Sequence, residues 1–266
     1  MKLKIVSYNI RTLYSHPLDG ANSFIHRAGM ILEKIEKEKP HVICIQEVSE
    51  KIKSFLHTYL NGYILVGHGR LADYSGEGLC IAYRKDCFDL LGLEQFWLSP
   101  TPSVPGSRYE IQSQYPRVCQ LITLKHKDIA TPIRLCNVHL DHKSDSARIL
   151  GIQQILRTVA CRSKDLPLPF MIMGDFNALP DSETVSYCKK NEDFELIDIS
   201  ENSCATFHNF GGTGDQDANE MVGKKIDYIF TDVETAKRSH TVIKWEDTQN
   251  GIYLSDHYPL CCEINI

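Results

Sequence analysis

Residues 170–177 read Phe-Met-Ile-Met-Gly-Asp-Phe-Asn, an apolar run that leads directly into an aspartate and an asparagine. A short apolar run bounded by turn-forming residues is typical of a buried strand. Asp175 and Asn177 are two positions apart, so in an extended chain they point to the same side while Phe176 faces the other way. The stretch therefore predicts a core strand that delivers two polar side chains to the rim of a sheet.

Five other apolar stretches end in the same way, and residues 42–45 (Val-Ile-Cys-Ile) are a clear example. The six polar clusters are, in chain order, Ser7-Tyr8-Asn9, Gln46-Glu47, Asn137-Val138-His139-Leu140, Gly174-Asp175-Phe176-Asn177, Ile226-Asp227-Tyr228 and Ser255-Asp256-His257. Strands of one core can bring their ends to one rim, so we expect these clusters to meet in a single site. The set holds carboxylates, carboxamides and two histidines but no candidate serine or cysteine nucleophile. Such a mixture suits a hard divalent cation and a phosphate better than acyl transfer.

Length and composition favour one globular domain. The chain has 266 residues, which allows one large domain or two small ones, but the clusters span almost all of it and favour a single domain over residues 1–266. The hydrophobic fraction of 42% and the charged fraction of 24% are ordinary for a protein with a sizeable core. The net charge of −5 does not indicate the basic face expected of a protein that grips long duplex DNA.

The chain also carries cues about its compartment. No apolar run approaches the roughly 20 residues that a membrane span needs. Residues 1–6 enter a strand pattern at once, which predicts no signal peptide and favours a cytoplasmic protein. None of the ten cysteines forms a C-x-x-C pair, and several lie in apolar strands, so reduced, buried thiols are expected. No obligate protein partner is evident from the sequence.

The order of elements predicts a mixed α/β (α+β) fold. Strands are predicted near residues 2–10, 41–46, 63–67, 78–84, 117–124, 134–140, 170–174, 226–230 and 261–266. Helices are predicted from apolar stripes around residues 28–35 and 152–159, the latter in a segment starting near Ser144, with another helix at 52–60. Strands outnumber helices without strict alternation, which argues for a sandwich and against a doubly wound sheet. Two long loops, residues 99–115 and 204–223, are candidates for lids or substrate walls.

Taken alone, each cluster also has a purely structural interpretation. Glu47 alone is compatible with a solvated strand end, and residues 174–177 alone with a polar turn. His139 alone is compatible with a hydrogen-bonded structural histidine. Asp227 is different, because an aspartate inside an apolar strand needs a partner, and an imidazole N–H of His257 is a natural one. Such a pair fixes the tautomer of the ring and raises its basicity.

The six clusters, in this order, resemble the endonuclease/exonuclease/phosphatase superfamily, which has the deoxyribonuclease I-like fold. The resemblance covers essentially the whole chain. Phe96-Trp97-Leu98-Ser99 and the Pro-rich loop after it further resemble a bacterial branch of predicted hydrolases. The resemblance implies a four-layer sandwich of two packed mixed β-sheets flanked by helices. It also implies Mg²⁺- or Mn²⁺-dependent hydrolysis of a phosphoester substrate, which could be a nucleic acid, a nucleotide or a small phosphorylated molecule.

The same resemblance implies a role for each candidate residue. Glu47 and Asn9 would bind the metal, and Asp256 would lie beside it or hold a second ion. Asp175 would orient and activate the attacking water. The remaining candidates would act on the phosphate: Asn177 holds one of its oxygens, His139 and His257 stabilise developing charge, and Asp227 orients His257. Arg117, just before an apolar strand, is a candidate substrate-binding residue.

Departures from the family pattern argue against one branch of the family. The apurinic endonuclease branch has a tyrosine-bearing motif where this chain has residues 137–140, and this difference, with the acidic charge balance, argues against an abasic-site enzyme. Two classes of function stay open: a phosphoester hydrolase, either nuclease or phosphatase, and a catalytically silent protein that binds phosphate or nucleic acid with the same fold. The number of metal ions and the oligomeric state also stay open.

Overall fold

The computed structural model describes residues 1–15, 19–212 and 220–265, and its core is two six-stranded sheets. The strands are β1 (Lys2–Asn9), β2 (Val42–Val48), β3 (Tyr63–Val66), β4 (Gly78–Arg84), β5 (Phe88–Trp97), β6 (Val118–His126), β7 (Ile133–His139), β8 (Phe170–Asp175), β9 (Leu196–Asp198), β10 (Asp227–Asp232), β11 (Ile243–Lys244), β12 (Thr248–Gln249), β13 (Ile252–Tyr253) and β14 (Leu260–Asn265). The helices are α1 (Phe24–Glu38), α2 (Glu50–Tyr59), α3 (Asp145–Asp165), α4 (Glu183–Lys189), the single turn α5 (Asn209–Gly212) and α6 (Val233–Lys237).

The sheet topology brings the polar strand ends to one rim. The first sheet has the order β11-β14-β1-β2-β4-β3 and the second β5-β6-β7-β8-β10-β9. β1 and β2 are parallel and end together, with Asn9 opposite Gln46, and β7 and β8 are parallel with His139 opposite Asp175. β10 runs antiparallel to β8 and begins where β8 ends, so Asp227 lies opposite Asp175.

The last polar cluster reaches the rim by the same geometry. β14 runs antiparallel to β1, and its first residue, Leu260, lies opposite Ser7 near the end of β1. Residues 255–257 come just before β14 and therefore lie beyond the same end of β1. Five of the six clusters thus end or begin a central strand, and the sixth precedes one.

The two sheets pack face to face over one apolar layer. Ile5 and Ile81 of the first sheet share this layer with Leu135, Met171 and Ile229 of the second. Because side chains alternate along a strand, the other faces are also apolar and are covered by helices. The apolar sides of α1 and α2 cover the first sheet, and the apolar side of α3 covers the second. Four layers result.

The predicted fold class is confirmed, and most predicted elements lie within a few residues of their expected bounds. The strand β5 is absent from the prediction. It is an edge strand with exposed residues at Asp89 and Leu90 and an irregular register between Leu90 and Gly92, so it shows neither an apolar run nor a clean alternation. The short elements α4, α6 and β9 are also too brief to leave a periodic pattern.

The two long loops have different outcomes. No helix or strand lies between β5 and β6, as predicted for residues 99–115. The predicted loop 204–223 includes α5, whose Phe210 and Gly211 have left-handed backbone angles, while residues 213–219 lie outside the described residues. Within the described ranges, no helix combines the length and apolar character that crossing a bilayer requires.

Candidate active site

Asn9 lies at the centre of the site. Its Nδ2 donates to Oε1 of Glu47 at 3.0 Å and to Oδ2 of Asp175 at 3.0 Å, and it lies 3.4 Å from Nε2 of His257. Its Oδ1 accepts a hydrogen bond from the backbone N–H of Arg11. The side chain is buried. This one carboxamide therefore lies in contact with Glu47, Asp175 and His257, away from solvent.

Glu47 lies near the end of β2, where the pairing with β4 is irregular, and has a left-handed backbone conformation with a φ of 61°. This conformation is costly for a residue with a side chain and is typical of functional positions. Oε2 of Glu47 accepts the backbone N–H of Thr12 at 3.0 Å. Its neighbour Gln46 points the other way, into the layer between the sheets, and donates to Oδ1 of Asn137 at 2.7 Å. The carboxylate of Glu47 therefore faces the rim, whereas Gln46 connects the two sheets.

Asp175 is a buried carboxylate between two histidines. Oδ2 of Asp175 lies 3.5 Å from Nε2 of His139 and 3.7 Å from Nε2 of His257. Oδ1 accepts the backbone N–H of Asn177 at 2.9 Å. Burial raises the pKa of Asp175 to about 7, and the charge on Asp227 adds to the rise although His257 opposes it.

Gly174 allows the strand that carries Asp175 to lie against its neighbour. Its φ is 147°, and a Cβ at this position would lie 1.9 Å from the carbonyl oxygen of Val138. No side chain fits at that distance, so the parallel pairing of β7 and β8 at their ends requires glycine. This pairing sets His139 opposite Asp175.

His257 and Asp227 form a buried pair. Nδ1 of His257 lies 2.8 Å from Oδ2 of Asp227, and the ring of Phe207 packs against the imidazole with 4.8 Å between centroids. Burial disfavours the imidazolium, but Asp227 more than offsets it by charge and by hydrogen bonding and raises the pKa of His257 to about 10. His257 is therefore charged at neutral pH, with Nε2 directed toward Asp175 and Asn9.

The pKa of His139 is shifted in the opposite direction to that of His257. His139 is buried, and both burial and the nearby guanidinium groups of Arg117 and Arg70 hold its pKa well below the usual range. Nδ1 of His139 lies 3.9 Å from Glu77, and Nε2 faces Asp175. The site thus pairs a neutral histidine with a charged one on either side of one carboxylate.

Asn177 and Asp256 complete the candidate set. Asn177 has a left-handed φ of 48° and donates from Nδ2 to the carbonyl of Leu140 at 3.2 Å. Asp256 is buried, and its Oδ2 lies 3.4 Å from Nη1 of Arg11. Both residues line the cavity above Asp175, which has a volume of about 820 Å³.

Arg117 lies in the wall of the same cavity. It is 5% exposed, and its Nη2 lies 3.1 Å from Nδ1 of His142. Among the residues that the structure describes, its Nε and Nη1 have no hydrogen-bond partner. Burial and the neighbouring Arg70 lower the pKa of Arg117. A buried guanidinium in a cavity wall is suited to an anionic ligand.

The sequence profile of the endonuclease/exonuclease/phosphatase family matches residues 6–257, nearly the whole chain and all six clusters. The chain belongs to the endonuclease/exonuclease/phosphatase family. Its predicted family and its fold are both confirmed by this match and by the solved structures that resemble it.

Three proteins illustrate the similarity. An endonuclease/exonuclease/phosphatase from Bacteroides vulgatus is 25% identical, with a TM-score of 0.85 over 100% of this chain and 99% of that one. A mannosyl-6-phosphatase from Bacteroides thetaiotaomicron is 26% identical, with a TM-score of 0.80 over 99% of this chain and 100% of that one. Protein angel from Drosophila melanogaster is 25% identical over 77% of this chain, and the match spans only 64% of that protein's length.

Enzymes of the endonuclease/exonuclease/phosphatase family typically depend on a divalent metal, and the residues present fit one. The donor atoms of Glu47, His139 and Asp175 lie within 4.8 Å of one another, as do those of Asp175, Asp227 and His257. The first group has two carboxylates beside the amide of Asn9, an oxygen-rich set suited to Mg²⁺ or Mn²⁺. Asn9 presents its Nδ2 to these carboxylates, so it would have to turn its amide over to act as a ligand.

Several residues of the candidate site are not indicated by the sequence pattern. They line the cavity together with the predicted residues and are Arg11, Arg70, Glu77, Arg148 and Phe207. Arg11 lies two positions after Asn9, and this spacing is a signal that could have found it. Glu77 lies just before β4 rather than after a strand, so a search for polar residues at strand ends passes over it.

Proposed function

We propose that this protein is a Mg²⁺- or Mn²⁺-dependent phosphoester hydrolase that uses a water activated by Asp175. The observation that supports it best is the convergence on Asp175 of Asn9, His139 and His257, at 3.0, 3.5 and 3.7 Å, at one end of an open cavity. This is a buried acid–base group surrounded by donors, with a cation-binding carboxylate, Glu47, beside it.

The proposed metal ligands are Glu47 and Asn9, with Asp256 nearby. A divalent ion bound there would act as a Lewis acid toward the phosphate oxygens and lower the barrier by several kcal/mol. Oε2 of Glu47 is already held toward the rim by the N–H of Thr12, whereas Asn9 would turn its amide over to present Oδ1.

Asp175 is the proposed base for the attacking water. A carboxylate whose pKa is about 7 is well matched to accept a proton near neutral pH. Its Oδ1 is fixed by the N–H of Asn177, which orients the group without neutralising it. Proton transfer to Oδ2 then places the proton between His139 and His257.

The phosphate is proposed to lie against three donors. His257, kept charged by Asp227, would donate from Nε2 to a phosphate oxygen and stabilise the charge that develops on it. His139 and Asn177 would donate to other oxygens, His139 as a neutral imidazole. Arg117 is proposed to bind the substrate from the cavity wall.

A substrate panel with Mg²⁺ or Mn²⁺ tests this function. Single- and double-stranded nucleic acids, nucleotides and phospholipid head groups belong in the panel, as do sugar phosphates because of the mannosyl-6-phosphatase similarity. Release of inorganic phosphate indicates a phosphatase, and shortened polymers indicate a nuclease. Cleavage of no phosphoester in either metal contradicts the proposal and favours a silent binding protein.

Isosteric variants identify the source of any activity. Glu47→Gln and Asp175→Asn are each expected to lower kcat/KM by about 10²-fold or more. Glu192→Gln and Asp89→Asn make the same changes at exposed carboxylates and are expected to retain full activity. If Glu47→Gln and Asp175→Asn match these controls, the activity does not come from this site.

A further inference from the structure

Arg11 is bound by two acidic residues on the rim of the site. Its Nε lies 3.1 Å from Oδ2 of Asp19 and its Nη2 lies 3.0 Å from Oδ1 of the same carboxylate. Its Nη1 lies 3.4 Å from Oδ2 of Asp256. Arg11 has a left-handed φ of 61°, so the backbone adopts a costly conformation to place the guanidinium there.

Asp256 is surrounded by positive charge. Besides Arg11, the fully buried guanidinium of Arg27 lies close enough to act on it electrostatically, and His257 follows it in the chain. Arg27 donates to the backbone carbonyls of Ile10 and Leu254, and within the described part of the chain no carboxylate forms an ion pair with it. Oδ1 of Asp256 also accepts the hydroxyl of Ser255 at 3.0 Å.

Glu47 has a different set of neighbours. Its two oxygens accept from the amide of Asn9 and the N–H of Thr12, both neutral donors. Among the described residues it forms no ion pair with a lysine or arginine within 4.0 Å. It lies in the group with His139 and Asp175 whose donor atoms converge, and Asp256 lies in neither converging group. The charge of Arg11 is felt at Glu47 as well, but of these two carboxylates Arg11 forms an ion pair only with Asp256, where Arg27 adds a second positive charge. A divalent ion is therefore opposed more strongly at Asp256 than at Glu47.

We propose that Arg11 takes the place of a second metal ion, neutralising Asp256, so that the chain binds one divalent cation, at Glu47. Asp256 then acts as the partner that holds Arg11 beside the phosphate and not as a metal ligand. The inference rests on the proposed metal-dependent function, but it is tested by metal binding and not by hydrolysis.

Calorimetric titration of the full chain with Mn²⁺ tests the number of ions and their ligands. The original protein is expected to bind one Mn²⁺ per chain. Glu47→Gln is expected to bind Mn²⁺ at least tenfold more weakly, whereas the affinity of Asp256→Asn is expected to stay within threefold of the original value. Two Mn²⁺ per chain, no Mn²⁺ binding, or an Asp256→Asn affinity as weak as that of Glu47→Gln overturns the proposal.

Charge variants at Arg11 provide a readout that a purely structural role would not change. Arg11→Met exposes the negative charge of Asp256 and is expected to tighten Mn²⁺ binding at least threefold, whereas Arg11→Lys keeps the charge and stays within twofold. Asp19→Asn removes the other partner of Arg11 and controls for loss of local structure, as does thermal unfolding of each variant. Unchanged or weaker Mn²⁺ binding by a folded Arg11→Met contradicts the proposal.

The outcomes separate this inference from the proposed function. If the protein binds one Mn²⁺ but hydrolyses no phosphoester, the proposed function fails and the charge assignment stands. If it hydrolyses phosphoesters with two Mn²⁺ bound per chain, the function stands and the assignment of Arg11 fails.

Discussion

The carboxamide of Asn9 bonds both to Glu47 of its own sheet and to Asp175 of the opposite sheet, each at 3.0 Å. The hydrogen bonds of Asn9 therefore connect the two sheets and at the same time set the positions of the two carboxylates in the site. A change in how the sheets pack would separate the proposed base from the proposed metal ligand.

Replacing Asn9 by alanine is expected to lower kcat by about 10–100-fold, the usual cost of losing a group that positions the ligands of a metal site. The reason is that both carboxylates lose the group that holds them in register. Steady-state kinetics on whichever substrate the panel identifies measures the effect. Asn22→Ala, at a position outside the cavity, is the matched control and is expected to leave kcat unchanged. Equal kcat values for the two variants would refute the role of Asn9.

Replacing Asp227 by asparagine is expected to lower kcat by about 10–100-fold, as for other groups that orient a functional histidine. The substitution removes the charge that keeps His257 protonated, so the pKa of His257 should fall from about 10. NMR titration of the imidazole gives that pKa directly. An unchanged pKa in a folded Asp227→Asn variant would show that Asp227 does not control the charge of His257.

The sequence was a good guide wherever a polar residue follows a buried strand. Three central strands end at Asn9, His139 and Asp175, and Glu47 lies near the end of a fourth. Parallel pairing brings those ends to one edge, so the pattern alone predicts their proximity. The pairing of Asp227 with His257 followed from a burial argument: a carboxylate in an apolar strand needs a partner. The catalytic roles of these residues stay predictions.

What the sequence could not predict depends on contacts across the fold. Glu77 and Arg70 reach the site from the segment before β4, and no local pattern indicates that this segment lies beside His139. The pKa shifts depend on burial and on charges from distant segments, such as Arg117 acting on His139. The pairing of Arg11 with Asp256 joins residues at opposite ends of the chain.

Replacing Gly174 by alanine is expected to destabilise the protein by more than about 4 kcal/mol, a cost that only a severe steric conflict reaches. The added Cβ would lie 1.9 Å from the carbonyl oxygen of Val138, at a φ of 147° that alanine does not favour. Gly29→Ala, in an exposed position of α1 with nothing within 4 Å, is the control and should gain about 0.5–1 kcal/mol. Urea unfolding of both variants measures the contrast. Similar stabilities would contradict the close approach of β7 and β8.

Replacing Asp141 by alanine is expected to destabilise the protein by about 1.5–3 kcal/mol, the range for hydrogen bonds to a charged group. This buried carboxylate accepts the N–H groups of Lys143 and Ser144, at 3.0 and 2.7 Å, and binds both the N–H and the hydroxyl of Ser113. It thereby connects the loop of residues 99–115 to the start of α3. Ser113→Ala removes one of these bonds and should cost less in urea unfolding. A larger loss of stability for Ser113→Ala than for Asp141→Ala would contradict the role of Asp141 in connecting the loop to α3.

The stability of the protein is expected to fall as the pH falls from about 6.5 to 4, in part because of His208. Burial between Tyr253 and Tyr258, whose rings lie 4.6 and 4.0 Å away, lowers the pKa of His208 to about 4. The unfolded chain has the ordinary histidine pKa of about 6.5, so it binds a proton in this interval that the folded protein does not. The stabilisation is fully present above pH 6.5 and is lost toward pH 4, by about 3 kcal/mol. His208→Phe keeps a ring between the tyrosines and removes the titration, so its free energy of unfolding should decline less over this interval. Parallel declines for the original protein and His208→Phe, measured by urea unfolding, would show that His208 is not the titrating group.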